Sequence, residues 1–143
     1  MQRYLEEKDI DNCLALMELV KNDFAGYREK SFMQSLHEAI ANKEAYIIYC
    51  ENEIAGLITF SYRSKEITFL AVNPKFRNKG IAKALINHVK KCFRPGDMLQ
   101  VVTFRENDPK GQAAVECYHS WGFIDKELVE VRGYPCQKMI MWI

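Results

Sequence analysis

The sequence predicts an α/β fold: a sheet of six or seven strands, part antiparallel and part parallel, flanked by about four helices. Three observations carry that expectation. Apolar, β-rich runs between residues 44 and 72 are separated by short polar connections, the pattern of an antiparallel meander. Stretches of helical spacing then alternate with further strand-like runs, which requires crossovers. The composition is that of an ordinary globular chain, 48% hydrophobic and 27% charged. A length of 143 residues suits one domain over 1–143, able to bury roughly two-thirds of its unfolded surface.

Taken in order, residues 2–5 suit a short first strand. Asp9 or Asp11 then caps a helix on which Ile10, Cys13, Leu14, Met17, Val20 and Phe24 follow helical spacing. A second helix carries Phe32, Leu36 and Ile40 on its buried side. Glu44 to Cys50, rich in Tyr and Ile, reads as a strand that turns at Glu51-Asn52-Glu53. Ile54, Ile58, Phe60 and Tyr62 keep to even positions, the period of a strand, and Arg63-Ser64-Lys65 separates them from the run Glu66 to Val72. Pro74 ends that strand. Ile81, Leu85, His88, Val89 and Cys92 mark one face of a third helix, stopped by Pro95-Gly96. Met98 to Phe104 reads as a strand, and Ala113 to Trp121 as a helix with Ala114, Cys117, Tyr118 and Trp121 on one stripe. Gly122 ends it, and two closing strands flank Tyr134-Pro135.

Several function classes lose support at once. The net charge is +1, with 20 basic and 19 acidic residues mixed along the chain, so there is no nucleic-acid footprint. No run approaches the ~18 apolar residues of a membrane span. The charged first residues do not resemble a signal peptide. The five cysteines Cys13, Cys50, Cys92, Cys117 and Cys136 are odd in number and scattered, without the spacing of a zinc site. They read as small buried hydrophobes in a reducing cytoplasm, and no metal is expected.

The most informative stretch runs from Ile67 through Ala-Val-Asn-Pro to Arg77-Asn78-Lys79-Gly80-Ile81-Ala82, where a helix opens. A helix start leaves backbone N–H groups free and carries positive partial charge, which suits an anion. Gly80 lets a ligand approach the backbone, Ala82 is small, and Arg77, Lys79 and Lys83 add charge for a diphosphate. These residues alone describe equally an ordinary helix start with basic surface groups. A Walker A loop and a dinucleotide fingerprint are both absent, since the cluster has one glycine and no Gly-Lys-Ser/Thr.

Arg77-x-x-Gly80-x-Ala82, led in by Leu70-Ala-Val-Asn-Pro74, resembles the Gln/Arg-x-x-Gly-x-Gly/Ala motif of the GNAT N-acetyltransferases. The resemblance implies that the amides of Arg77, Asn78, Lys79, Gly80, Ile81 and Ala82, with Lys83 beside them, cradle the coenzyme A pyrophosphate. It also implies that the preceding strand splays from its neighbour, so that Leu70, Ala71 and Val72 pair with the pantetheine arm through main-chain groups. One strand and one helix later, Ala114-Val-Glu-Cys-Tyr118-His-Ser-Trp-Gly122-Phe123 resembles the family's Ala-x-x-x-Tyr-x-x-x-Gly-Phe. By residue type Tyr118 is also a good core aromatic. By resemblance its hydroxyl protonates the departing thiolate, a task suited to an acid of pKa near 10.

Glu66, eleven residues before Arg77, matches the position of the catalytic glutamate in the histone-acetyltransferase branch, and read from the residues alone it is a solvated strand end. Strand alternation places Glu66, Thr68, Leu70 and Val72 on one face. The family's asparagine seven residues before the tyrosine is replaced by Gly111, with Asn107 nearby in a longer connection. His88 and His119 read as structural, having no carboxylate at helical spacing. The implied activity is transfer of an acetyl group from acetyl-CoA to a primary amine of a small molecule or peptide, by direct attack in a ternary complex. No nucleic acid or membrane is implied, and homodimerisation is common in the family. The rival readings are a GNAT fold that binds acyl-CoA without turnover, and an unrelated α/β protein holding another phosphate ligand.

Overall fold

A computed structural model describes residues 1–24, 26–109 and 112–143. Its strands are β1 Gln2–Tyr4, β2 Ala45–Cys50, β3 Glu53–Ser61, β4 Glu66–Val72, β5 Met98–Phe104, β6 Ile124–Val131 and β7 Tyr134–Trp142. Its helices are α1 Ile10–Val20, α2 Glu29–Asn42, α3 Ile81–Lys91 and α4 Gln112–Ser120. The strands form one mixed sheet in the order β1-β2-β3-β4-β5-β7-β6. Every neighbouring pair is antiparallel except β4 and β5. Meander, crossovers and helix number are those the sequence predicts.

Helices cover both faces of the sheet's first half. α1 and α2 bring Cys13, Leu16, Met17, Val20 and Leu36 against Ile47, Ile54, Leu57 and Ala71. On the other face α3 and α4 bring Leu85, Ile86, Val89, Val115 and Tyr118 against Ile58, Phe60, Ile67, Leu99, Val101 and Met139. β3 is therefore buried on both sides from Ile54 to Phe60, and its apolar even positions are one face of a doubly covered strand. Burial pushes the Cys13 thiol up to about 12, which keeps it an inert hydrophobe. Cys117 departs from the buried pattern expected of the cysteines: it is exposed on α4.

Two local readings are corrected. Asp9 precedes α1 but makes no side-chain cap there. Its buried carboxylate instead takes both guanidinium nitrogens of Arg3 at 2.7 Å, the Glu6 amide at 2.9 Å and the Tyr49 hydroxyl at 3.0 Å. It ties β1 and β2 to the start of α1. The final turn is Arg132-Gly133, with φ of 52° and 79°, so Tyr134 and Pro135 lie inside β7 opposite Val131 and Glu130. Two successive left-handed residues match the twist of a two-residue hairpin, which explains the glycine.

Candidate active site

β4 and β5 start together and then part. They pair at Glu66↔Gln100 and Ile67↔Val101, and the Gln100 amide donates to the Lys65 carbonyl at 2.9 Å. Beyond Ile67 nothing pairs them among the described residues, although β4 continues to Val72 and β5 to Phe104. The gap is a V inside the sheet, and residues 68–72 turn one backbone edge into it. Their other edge stays on β3, from Phe69↔Thr59 to Val72↔Gly56. The local cause is a bulge. Ile67 and Phe69 oppose the consecutive residues Phe60 and Thr59, which leaves Thr68 extra, its hydroxyl 2.6 Å from that of Thr59. An inserted residue bends its strand and breaks the ladder. An open strand edge in mid-sheet is a template for an extended chain carrying amides.

The bulge also corrects the expected alternation. Ile67 and Leu70 both face α3 and α4, whereas Phe69 and Ala71 face α1 and α2. Glu66, next to Ile67, therefore points toward the α1–α2 face, opposite to Leu70.

At the open end of the V the chain turns into α3. Asn73 is buried; its Oδ1 accepts the Lys75 amide at 3.0 Å, and its backbone N–H donates to the Ala55 carbonyl at 2.8 Å. Phe76, 2% exposed, anchors the turn in the core. Asn78 and Gly80 then adopt φ of 62° and 78°, curling the backbone ahead of α3. Among the described residues no side chain caps α3, so its first-turn amides stay open, and a methyl group at Gly80 would meet nothing within 4 Å. Gly56 sets how close this helix start lies to the sheet. A methyl group there would stand 2.5 Å from Ile81 Cγ2 and 2.9 Å from Leu85 Cδ1. Gly56 and Asn73 belong to the site although sequence reasoning passed over both. An Asn-Pro pair is a turn signal that could have flagged Asn73.

The cations of the loop are exposed. Lys75 pairs with Glu53 at 2.6 Å, Arg77 with Asp23 at 3.5 Å, and Lys79 leans over the Phe76 ring. Lys83 extends from the first turn of α3 into solvent.

Tyr118 lies on the same face as this loop, on α4 over the β5 side of the V. Its ring is wedged edge-on between Trp121 and Phe123, both with centroids at 5.4 Å. Burial holds its phenol well above the ordinary tyrosine range, so the oxygen keeps its proton at neutral pH. That hydroxyl bonds to none of the described residues. The loop and Tyr118 thus lie on one face of the sheet, one on each arm of the V. Glu66 sits half-exposed at its closed end and faces the opposite side of the sheet.

Asn107 is exposed, beside Arg105, Asp108 and Tyr134 in an open recess at the β5–α4 connection, and Gly111 lies outside the described residues. His88 and His119 sit outside the V. His88 stacks on Tyr46 at 3.6 Å, with Nε2 3.7 Å from Cys92 Sγ. His119 does find a carboxylate, Asp125 at 2.8 Å, which comes from β6 and not from its own helix. Among the described residues no group of three or more His, Cys, Asp or Glu is placed to hold a metal ion.

The family model described as an acetyltransferase (GNAT) domain matches residues 16–142. No curated protein matches the chain. Among solved structures, the chain is similar to Ard1 from Thermoplasma volcanium at 17% identity and a TM-score of 0.77, over 100% of this chain and 97% of that one. It is similar to the ribosomal-protein-S18-alanine N-acetyltransferase of Escherichia coli at 18% identity and a TM-score of 0.73, over 100% and 93%. A third neighbour is a NatC complex bound to Gag peptide and CoA, at 21% identity and a TM-score of 0.71, over 100% and 98%. At these identities the likeness is one of fold.

Proposed function

Because the chain belongs to the GNAT acetyltransferase family, we propose that it moves an acetyl group from acetyl-CoA to a primary amine of a small molecule or peptide by direct attack. The observation that carries this reading is the V between β4 and β5, whose open backbone edge at 68–72 is joined by the turn at 73–80 to the uncapped start of α3. A diphosphate joined to a chain of amides has the same two parts in the same order. The residues present fit such a donor. Amides at Gly80, Ile81 and Ala82 suit the diphosphate, with Arg77, Asn78, Lys79 and Lys83 around them. Main-chain groups of Leu70, Ala71 and Val72 suit the amide arm.

The thioester supplies an acyl carbon activated toward amines. Tyr118 keeps its proton on Oη at neutral pH, donates it as general acid to the sulfur as the C–S bond breaks, and regains one from solvent. Glu66, at the closed end of the V on the other face, takes up the proton of the attacking amine, directly or through water. Acid and base thus act from opposite sides of the sheet. A peptide among the acceptors is supported by neighbours that act on ribosomal protein S18 or hold a Gag peptide.

Calorimetric titration with CoA, ATP and NAD tests the donor; preference for ATP or NAD overturns the reading. Thioester consumption with a panel of amines then tests turnover. CoA binding with no consumption by any amine would favour an acyl-CoA-sensing module.

A further inference from the structure

The connection from α1 to α2 touches the proposed donor site at two points. Asp23 Oδ2 lies 3.5 Å from Arg77 Nη2, and with the side chains 61% and 52% exposed either can swing away. The next residue, Phe24, stacks on Phe69 of the open stretch of β4, with centroids 4.6 Å apart and planes at 28°. Phe32 of α2 flanks the same ring at 5.2 Å. One short segment therefore supplies the counter-ion of the phosphate loop and the aromatic that packs on the strand lining the V. Lys75 is engaged by Glu53 and Lys79 by the Phe76 ring, so Arg77 is the cation of this turn that the α1–α2 connection holds.

Building on the donor site proposed above, we infer that Asp23 is a positioning residue: it occupies Arg77 until a donor diphosphate takes its place, and its release loosens the α1–α2 connection on the acceptor side. A diphosphate carries more charge than one carboxylate and is met by the α3 amides as well, so it displaces Asp23. An exposed ion pair shifts binding by about fivefold at most, small enough to be displaced and large enough to measure. The Phe24 amide reports the second half of the exchange, because it donates to the Lys21 carbonyl at 3.2 Å and is set free when the segment loosens.

The test combines CoA titration with amide hydrogen exchange. Asp23→Asn binds CoA about two- to fivefold more tightly than wild type, and adding the same change to Arg77→Gln brings no gain. CoA accelerates exchange at the Phe24 amide of the wild type, and in Asp23→Asn that amide exchanges fast without CoA. Equal tightening in the Arg77→Gln background would mean a general charge effect and overturn the inference, as would an unchanged Kd or slower Phe24 exchange with CoA. Failure of the wild type to bind CoA overturns the donor site itself, whereas CoA binding indifferent to Asp23 overturns this inference alone.

Discussion

Tyr118 and Asp9 are both buried, and burial leaves them in opposite states. Tyr118 lies in an apolar core with Trp121 and Phe123 against its ring, so desolvation raises its phenol pKa and leaves it neutral. Tyr118→Phe keeps the packing and removes the proton, so kcat should fall by roughly 10²- to 10⁴-fold with little change in stability, as read by turnover and denaturant titration. Because the folded pKa lies above the unfolded one, the folded protein holds this proton longer as pH rises. Stability should therefore decline with pH above about 10. At Asp9 burial opposes ionisation, but the bonds from Arg3, Glu6 and Tyr49 outweigh it and lower the pKa. The stability it contributes is present above about pH 4 and is lost as pH falls through the folded value. Asp9→Ala should cost about 2–3 kcal/mol at neutral pH, with a smaller loss at pH 3. The sequence singled out Tyr118 through a local pattern and a resemblance, and its burial in the core agrees with its reading as a core aromatic. Asp9 was read with Asp11 as a possible cap because neither of its side-chain partners, Arg3 on β1 and Tyr49 on β2, lies on its own helix.

Most elements were visible in apolar spacing, Met98–Phe104 with its bounds, although Phe24, read on the first helix, lies beyond the end of α1 at Val20. The V was visible only through resemblance. A bulge leaves no mark on an alternating pattern, and Thr68 is as good a strand residue as any. Gly56 escaped notice for the same reason: what it must avoid, Ile81, sits 25 residues on. Gly56→Ala should therefore destabilise the fold by about 1–3 kcal/mol and weaken CoA binding, since the start of α3 must move off the sheet. Gly80→Ala separates the two effects. Its φ of 78° costs a side chain about 1–2 kcal/mol, while no neighbour resists it. A loss of CoA affinity larger than that strain predicts would place the ligand against Gly80.

Across the molecule, the sheet is continuous in order but not in strength. β1 to β4 form one ladder, and β5, β7 and β6 another. Two residue pairs, Glu66↔Gln100 and Ile67↔Val101, stitch the ladders together, helped by the shared core under α3 and α4. The V described above as a binding groove is thus also a seam in the architecture. A chain laid along the edge at 68–72 acts as a keystone, restoring bonds that the sheet lacks without it. With CoA at 100 times its Kd the folded state should gain about 2.7 kcal/mol, visible as a rise in Tm of several degrees. The amides along that seam should be among the first to gain hydrogen-exchange protection, and without the ligand the seam is where unfolding should start.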